Sequence, residues 1–171
     1  MEFNLEKSLE ILERTPTVLR TMLSGLSDEW IYKNEGPGTW SPHDVVAHLL
    51  HCELSDWMPR VTIILDSKDK HFTPFDPSGN VQFKDQSLPF LLDQFASQRE
   101  RGLQVLNAYK PTTKSLQMKG IHPKFGEVTL AQLLSTWTVH DLNHLAQISR
   151  VMGKQYKEAV GPWIEFLRIL K

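Results

Sequence analysis

Along most of the chain the apolar positions recur at steps of three and four, and that spacing predicts helices. Leu5, Leu9, Leu12, Leu19 and Leu23 form one buried stripe over the first segment, the period of an amphipathic helix. Thr15-Pro16 interrupts the stripe, because a proline inside a helix removes a hydrogen bond and crowds the preceding turn. A kink or restart is expected there, with Thr15 as N-cap and Pro16 at the first helical position. The stretch NEGPGTWSP, residues 34–42, reads as a Gly/Pro loop that ends in a helix start. Ser41 is its N-cap, Pro42 stands at N1, and Asp44 lies at N3 near the positive end of the helix dipole. That second helix is expected to run to about Leu65.

Residues 66–86 are rich in Asp, Lys, Pro and Gly and carry no clear period; so long an irregular stretch is usually functional or a crossover. A third helix is predicted from Ser87, with Leu88, Leu92, Phe95, Gly102, Leu106 and Tyr109 along one seam. A second irregular connection, 110–128, contains GIHPKFG. The fourth helix opens on a capping box of Thr129 and Gln132 and ends near Gly153, a good C-cap residue. A short amphipathic tail, Trp163 to Leu170, closes the chain. No segment reads as a strand pair. Four long helices with two long connections predict an all-α fold, a four-helix bundle with crossovers.

Length and composition narrow this little but exclude much. A chain of 171 residues is expected to form one domain over 1–171, large enough for a real hydrophobic core. The 19 basic and 20 acidic side chains leave a net charge of -1, and no Lys/Arg cluster marks a face for nucleic acid. No apolar run approaches the roughly 20 residues of a membrane span, and MEFNLEKSLE is too acidic for a signal peptide. A single cysteine, Cys52, excludes an internal disulfide and fits the reducing cytoplasm.

Chemistry enters on the fourth helix. Its seam runs Leu130, Leu133, Trp137, His140, His144, Ile148, Val151, so two of seven core-facing places are imidazoles. Ser135, Thr138 and Ser149 lie opposite, with Leu142 the apolar exception. A buried imidazole needs partners for its ring nitrogens, because an unsatisfied buried polar group costs about 1–3 kcal/mol. A shared divalent metal removes that cost, and the i, i+4 spacing aims both rings at one point. The plainer alternative is a pair of hydrogen-bonded core histidines. The second helix offers a third ligand in HDVVAHLLHCE, residues 43–53. Periodicity favours His51 slightly, since Val46, Leu50 and Trp57 cluster away from His48. His48 and Cys52 are themselves four apart and form a rival pair, although a lone cysteine is usually a small buried hydrophobe. His43 is expected to be exposed in the first turn, and His71 and His122 to be loop residues.

WSPHDVVAHLLHCE from Trp40 to Glu53 and HDLNHLAQI from His140, with the TWSP start and the irregular crossovers, resemble the DinB/YfiT-like family of metal-dependent four-helix-bundle proteins. That family is related to the bacillithiol- and mycothiol-dependent transferases. The resemblance covers nearly the whole chain and implies the ligands His48, His140 and His144. It overrides the periodicity preference for His51, which stays as the rival. Family habit, together with apolar surface left on the first and third helices, also implies a homodimer. The family name refers to DNA damage and implies no DNA binding.

Three neutral imidazoles leave a divalent ion its full charge and at least one open position. Such an ion lowers the pKa of water to about 7 in the zinc case, or deprotonates a thiol whose ordinary pKa is about 8.5. Nitrogen ligation suits zinc, nickel, iron or copper better than magnesium or calcium, and zinc or nickel is the expected ion. The expected function is therefore hydrolysis of a small molecule or addition of a low-molecular-weight thiol to an electrophile. The alternative is a helical bundle that binds metal or thiol without turnover. A zinc peptidase fits poorly, because Asp141 stands where HExxH has Glu. Glu53, Asp56 and Asp141 are candidate proton shuttles. Each has a plainer role: Asp141 as hydrogen-bond partner of a ligand imidazole, Glu53 and Asp56 as ion-pair partners of residues such as Arg60. Trp137 is expected in the core.

Overall fold

The computed structural model describes residues 2–171. The first stripe forms two helices, α1 (Leu5–Leu12) and α2 (Thr15–Leu23), with the break ahead of Pro16. Thr15 lies inside α2, behind Arg14 at the cap, and its hydroxyl donates to the Ile11 carbonyl at 3.1 Å. A short α3 (Asp28–Tyr32) leads to α4 (Pro42–Ser55), which starts as expected. The Asp44 N–H donates to the Ser41 hydroxyl at 3.2 Å, and the Ser41 N–H donates back to the Asp44 carboxylate at 2.9 Å. The helix does not run unbroken to 65. It stops at Asp56 and resumes as α5 (Trp57–Asp66), because Pro59 has no N–H for the Ser55 carbonyl and its ring crowds that turn. The break leaves Trp57 and Arg60 buried on the new helix.

Beyond a 3-10 turn at Gly79–Phe83 come α6 (Leu88–Tyr109), capped by Ser87, and a short α7 (Thr113–Leu116). The strand pair absent from the sequence reading is present. β1 (Lys119–His122) runs antiparallel to β2 (Gly126–Thr129), and Ile121 also bridges His71 from the first crossover. Runs of four residues are too short for alternation to declare itself. Gly126 supplies the left-handed turn conformation with φ +71. At Gly120 a Cβ would lie 2.2 Å from the Phe72 ring, so only glycine lets the crossover press onto the hairpin.

The capping box of Thr129 and Gln132 opens α8 (Leu130–Lys154). Gly153 lies within this helix instead of capping it, and the amphipathic tail over 163–170 forms 3-10 turns at Gly161–Glu165 and Arg168–Leu170. Gly161, at φ +53, and Pro162 break helical geometry there. Trp163 and Phe166 face outward, while Leu170 is buried.

Two apolar clusters fill the bundle. One holds Leu23, Val46, Leu50, Phe95 and Ile148; the other holds Leu12, Val61, Leu106, Leu134 and Trp137. Along α4 and α8 the clusters meet near residues 48–52 and 140–144, where the polar side chains gather.

Candidate metal centre

His48 and His51 both come from α4, and His140 and His144 from consecutive turns of α8. The structure brings three of the four together. His140 Nε2 lies 3.2 Å from His48 Nε2 and 3.1 Å from His144 Nε2, and the His48 and His144 ring centroids are 4.8 Å apart. His140 Nε2 carries either one proton or one lone pair, so only one of these two contacts can be a linear hydrogen bond. Zinc–nitrogen distances of 2.0–2.1 Å at a tetrahedral angle place ligand nitrogens about 3.3 Å apart. The two spacings around His140 match that separation, and at most one of them can be a hydrogen bond.

The surroundings set tautomer and charge. His144 Nδ1 lies 2.7 Å from the Gln147 side-chain oxygen, which accepts the Nδ1 proton and leaves Nε2 bare. His140 Nδ1 is buried with no partner among the described residues. Burial, then the His144 and His51 rings, lower the His48 pKa to about 4; burial and the two neighbouring histidines lower that of His140 to about 3. Burial lowers His144 as well. All three rings are thus neutral, the form that ligates metal. Trp40 packs on His48 at 4.7 Å between centroids, and Trp57 meets His140 edge-on at 5.1 Å.

Cys52 borders the same spot, with Sγ 3.5 Å from His48 Nε2 and 4.0 Å from His140 Nε2. His48, Cys52 and His140 can each present a donor atom within 4.8 Å of the others. Burial first, then the carboxylates of Asp56, Glu53 and Asp141, raise the Cys52 thiol well above its ordinary range, so it stays protonated unless a cation draws the proton off. His51 is engaged elsewhere: its Nε2 lies 2.9 Å from the Asp76 carbonyl, its ring packs on Phe75, and a Cβ at Gly79 would lie 2.2 Å from it. The amphipathic stripe slightly favours His51, but His51 lies away from the cluster, because the loop over 76–79 supplies a polar lid that periodicity does not reveal.

The carboxylates also differ from expectation. Asp141 makes no bond to an imidazole; it takes both ends of the Arg99 guanidinium at 2.6 and 3.0 Å. Glu53 pairs with Arg99 at 2.8 Å, not with Arg60, and accepts the Trp137 indole N–H at 3.1 Å. Arg99 donates in addition to the Leu12 carbonyl at 2.8 Å, tying α1, α4, α6 and α8 together. Burial raises the Glu53 pKa against the pull of Arg99. Burial likewise opposes the charge of Arg99, but the two carboxylates more than restore it. Asp56 lies 2.7 Å from Arg60, as expected, though off the hydrogen-bond line, so its Oδ1 remains unpartnered.

Of the remaining histidines, His43 is buried, not exposed, with Nε2 2.8 Å from the Gln86 carbonyl and its ring against Tyr32. His71 is an exposed loop residue beside Asp69. His122 is no mere loop residue: with Phe72, Phe75 and Phe125 it walls a cavity of about 290 Å³ that opens on His48, Cys52 and His140.

Residues 11–148 match the family model of the DinB superfamily. The chain belongs to the DinB superfamily. As a member of it, the chain shares its fold with the solved YfiT from Bacillus subtilis, described as a probable metal-dependent hydrolase with an unusual four-helix bundle topology. The two superpose with a TM-score of 0.75 at 18% identity, over 88% of this chain and 86% of that one. No curated protein matches the chain.

Proposed function

We propose that this DinB-superfamily chain is a metal-dependent hydrolase of small molecules, with His48, His140 and His144 holding a divalent transition ion, zinc or nickel. The observation that carries the reading is the pair of Nε2 contacts at 3.2 and 3.1 Å around His140, which hydrogen bonding cannot satisfy and a shared cation can. His144 is preferred to Cys52 as third ligand because its nitrogen is nearer and already bare, whereas the thiol must first lose a proton. The description of YfiT as a probable metal-dependent hydrolase supports the same chemistry.

When bound, the ion supplies Lewis acidity, which polarises a carbonyl or acidifies water or a thiol. The protein's own groups do the rest. Gln147 holds the His144 tautomer. Trp40, Phe75 and Trp57 pack around the ligand rings and keep bulk water from their edges. The adjoining cavity of about 290 Å³ is close to the lower end of the size range for small-molecule sites, which suits a small substrate.

Elemental analysis of purified wild type beside His48→Ala, His140→Ala and His144→Ala tests the ligands. Wild type is expected to carry about one zinc or nickel ion per chain and each variant at least tenfold less; equal metal in all four overturns the assignment. Hydrolysis of 4-nitrophenyl acetate that chelation abolishes and zinc restores supports the reaction class. Metal-dependent conjugation of monochlorobimane with a thiol, without ester cleavage, would replace hydrolysis by thiol transfer. Metal binding with neither activity would make the protein a binding module.

A further inference from the structure

The lining of the cavity follows α8 from Leu133, near the helix start and the hairpin, to His140 about two turns later, so the histidine cluster stands at one end and His122 of β1 with Phe125 of the hairpin turn at the other. His122 is held more firmly than a surface histidine needs. The backbone N–H groups of Lys124 and Phe125 donate to its Nδ1 at 3.1 and 3.3 Å, so in the neutral ring the proton sits on Nε2. The ring stacks on Phe125 at 4.6 Å and 23° and meets Phe72 edge-on at 6.3 Å and 87°. Those two backbone contacts are the ring's only hydrogen bonds among the described residues, which leaves the Nε2–H uncommitted. Burial, with the charges of Arg60 and Lys124, favours the neutral ring. Arg60, which lines the same cavity, lies 2.7 Å from Asp56 through its Nε and over the Phe72 ring at 5.2 Å.

A largely apolar chamber with an oriented, unspent donor at the end away from its reactive groups is the usual plan of a small-molecule site. We propose that His122 is the substrate-facing hydrogen-bond donor of this chamber, which takes a small, flat, apolar molecule with an acceptor oxygen at the end away from the histidine cluster. The proposal rests on the metal-centre reading and adds the chemistry of the substrate's far end. A hairpin turn that donates twice to Nδ1 fixes which nitrogen offers the proton. Phe72 and Phe125 fix the ring plane.

Calorimetric titration of the zinc-loaded protein with benzohydroxamate and with 4-carboxybenzohydroxamate tests it. The hydroxamate end engages the metal in both probes, and only the second carries the acceptor. Wild type is expected to bind the carboxylated probe about five- to tenfold more tightly, the worth of one good hydrogen bond. In His122→Phe, and in His122→Asn, whose shorter side chain can serve the turn but not the chamber, that preference falls to within about twofold. Zinc content and benzohydroxamate affinity are unchanged in both variants. A preference that survives in both variants, or that wild type lacks while still binding benzohydroxamate, overturns the role of His122. Failure of wild type to hold zinc overturns the metal-centre reading beneath it.

Discussion

His140 and Asp141 are neighbours on one turn of α8, and Cys52 and Glu53 on one turn of α4, yet each pair divides between two polar regions of opposite character. On one side, Arg99 meets Asp141, Glu53 and the Leu12 carbonyl, and Trp137 completes Glu53. Only the Arg99 Nε lacks a partner. On the other side, three neutral rings turn nitrogens toward one another that cannot bond each other in full. A buried polar group is normally satisfied by the protein itself. The Arg99 region obeys that rule and holds helices together; the histidine region breaks it toward a cavity.

The contrast breaks first at Arg99. Replacing it with Met strands two buried carboxylates, and removal of one partner from a buried ion pair costs about 3–5 kcal/mol. Urea unfolding of metal-free Arg99→Met should show a loss of that size, while metal-free His144→Ala loses less than half as much. Equal losses would make the histidines structural too.

The histidine side is probed next through Gln147, whose oxygen lies 2.7 Å from His144 Nδ1. Groups that orient a ligand imidazole are typically worth 10–100-fold in metal affinity. Gln147→Leu should weaken zinc binding by about that factor in competition with a chromophoric chelator, with unfolding in the absence of metal little changed. Unaltered affinity would mean that His144 is not a ligand.

The two regions were not equally legible in the sequence. Helices betray themselves through apolar period, and the starts of α4 and α8 through capping residues whose hydrogen bonds form as the residue types dictate. The pair His140 and His144 stood out because a seam otherwise apolar carried two imidazoles. Arg99 gave the same kind of signal: it falls on the third-helix seam between Phe95 and Gly102, four and three residues away, and is buried there. A charged residue at a core position asks for buried partners, and Asp141 and Glu53 were the carboxylates available. What the seam could not tell was that His48, and not His51, stands beside the α8 pair. The loop over 76–79 draws His51 aside, through its carbonyl at Asp76 and the missing side chain at Gly79. The contribution of His122 was hidden for a related reason, since a hairpin of four-residue strands packed on a crossover has no periodic signature.

The smallest effect concerns how the loop before α4 is fastened to α8, and it separates an exposed ion pair from the buried one. The Arg150 guanidinium grips Glu35 through two bonds at 2.9 and 2.8 Å, with Lys154 at 3.1 Å. The hydrogen bond from Arg150, opposed by burial and reinforced by Lys154, lowers the Glu35 pKa from 4.5 to about 2. A carboxyl with a depressed pKa in the folded state contributes stability that is complete above the unfolded value and disappears as pH falls through the folded one. The window is therefore pH 4.5 down to about 2. Arg150 is about two-fifths exposed, and solvent screening reduces such a pair to about 1 kcal/mol or less. The difference in unfolding free energy between wild type and Glu35→Gln should accordingly be near 1 kcal/mol at pH 6, shrink between pH 4.5 and 2, and diminish in high salt. Arg99→Met should show almost no salt dependence, because its partners are shielded from ions. A salt response of equal size in both variants would mean that the Arg99 region is open to solvent, and the division between a sealed structural network and an accessible reactive one would fall.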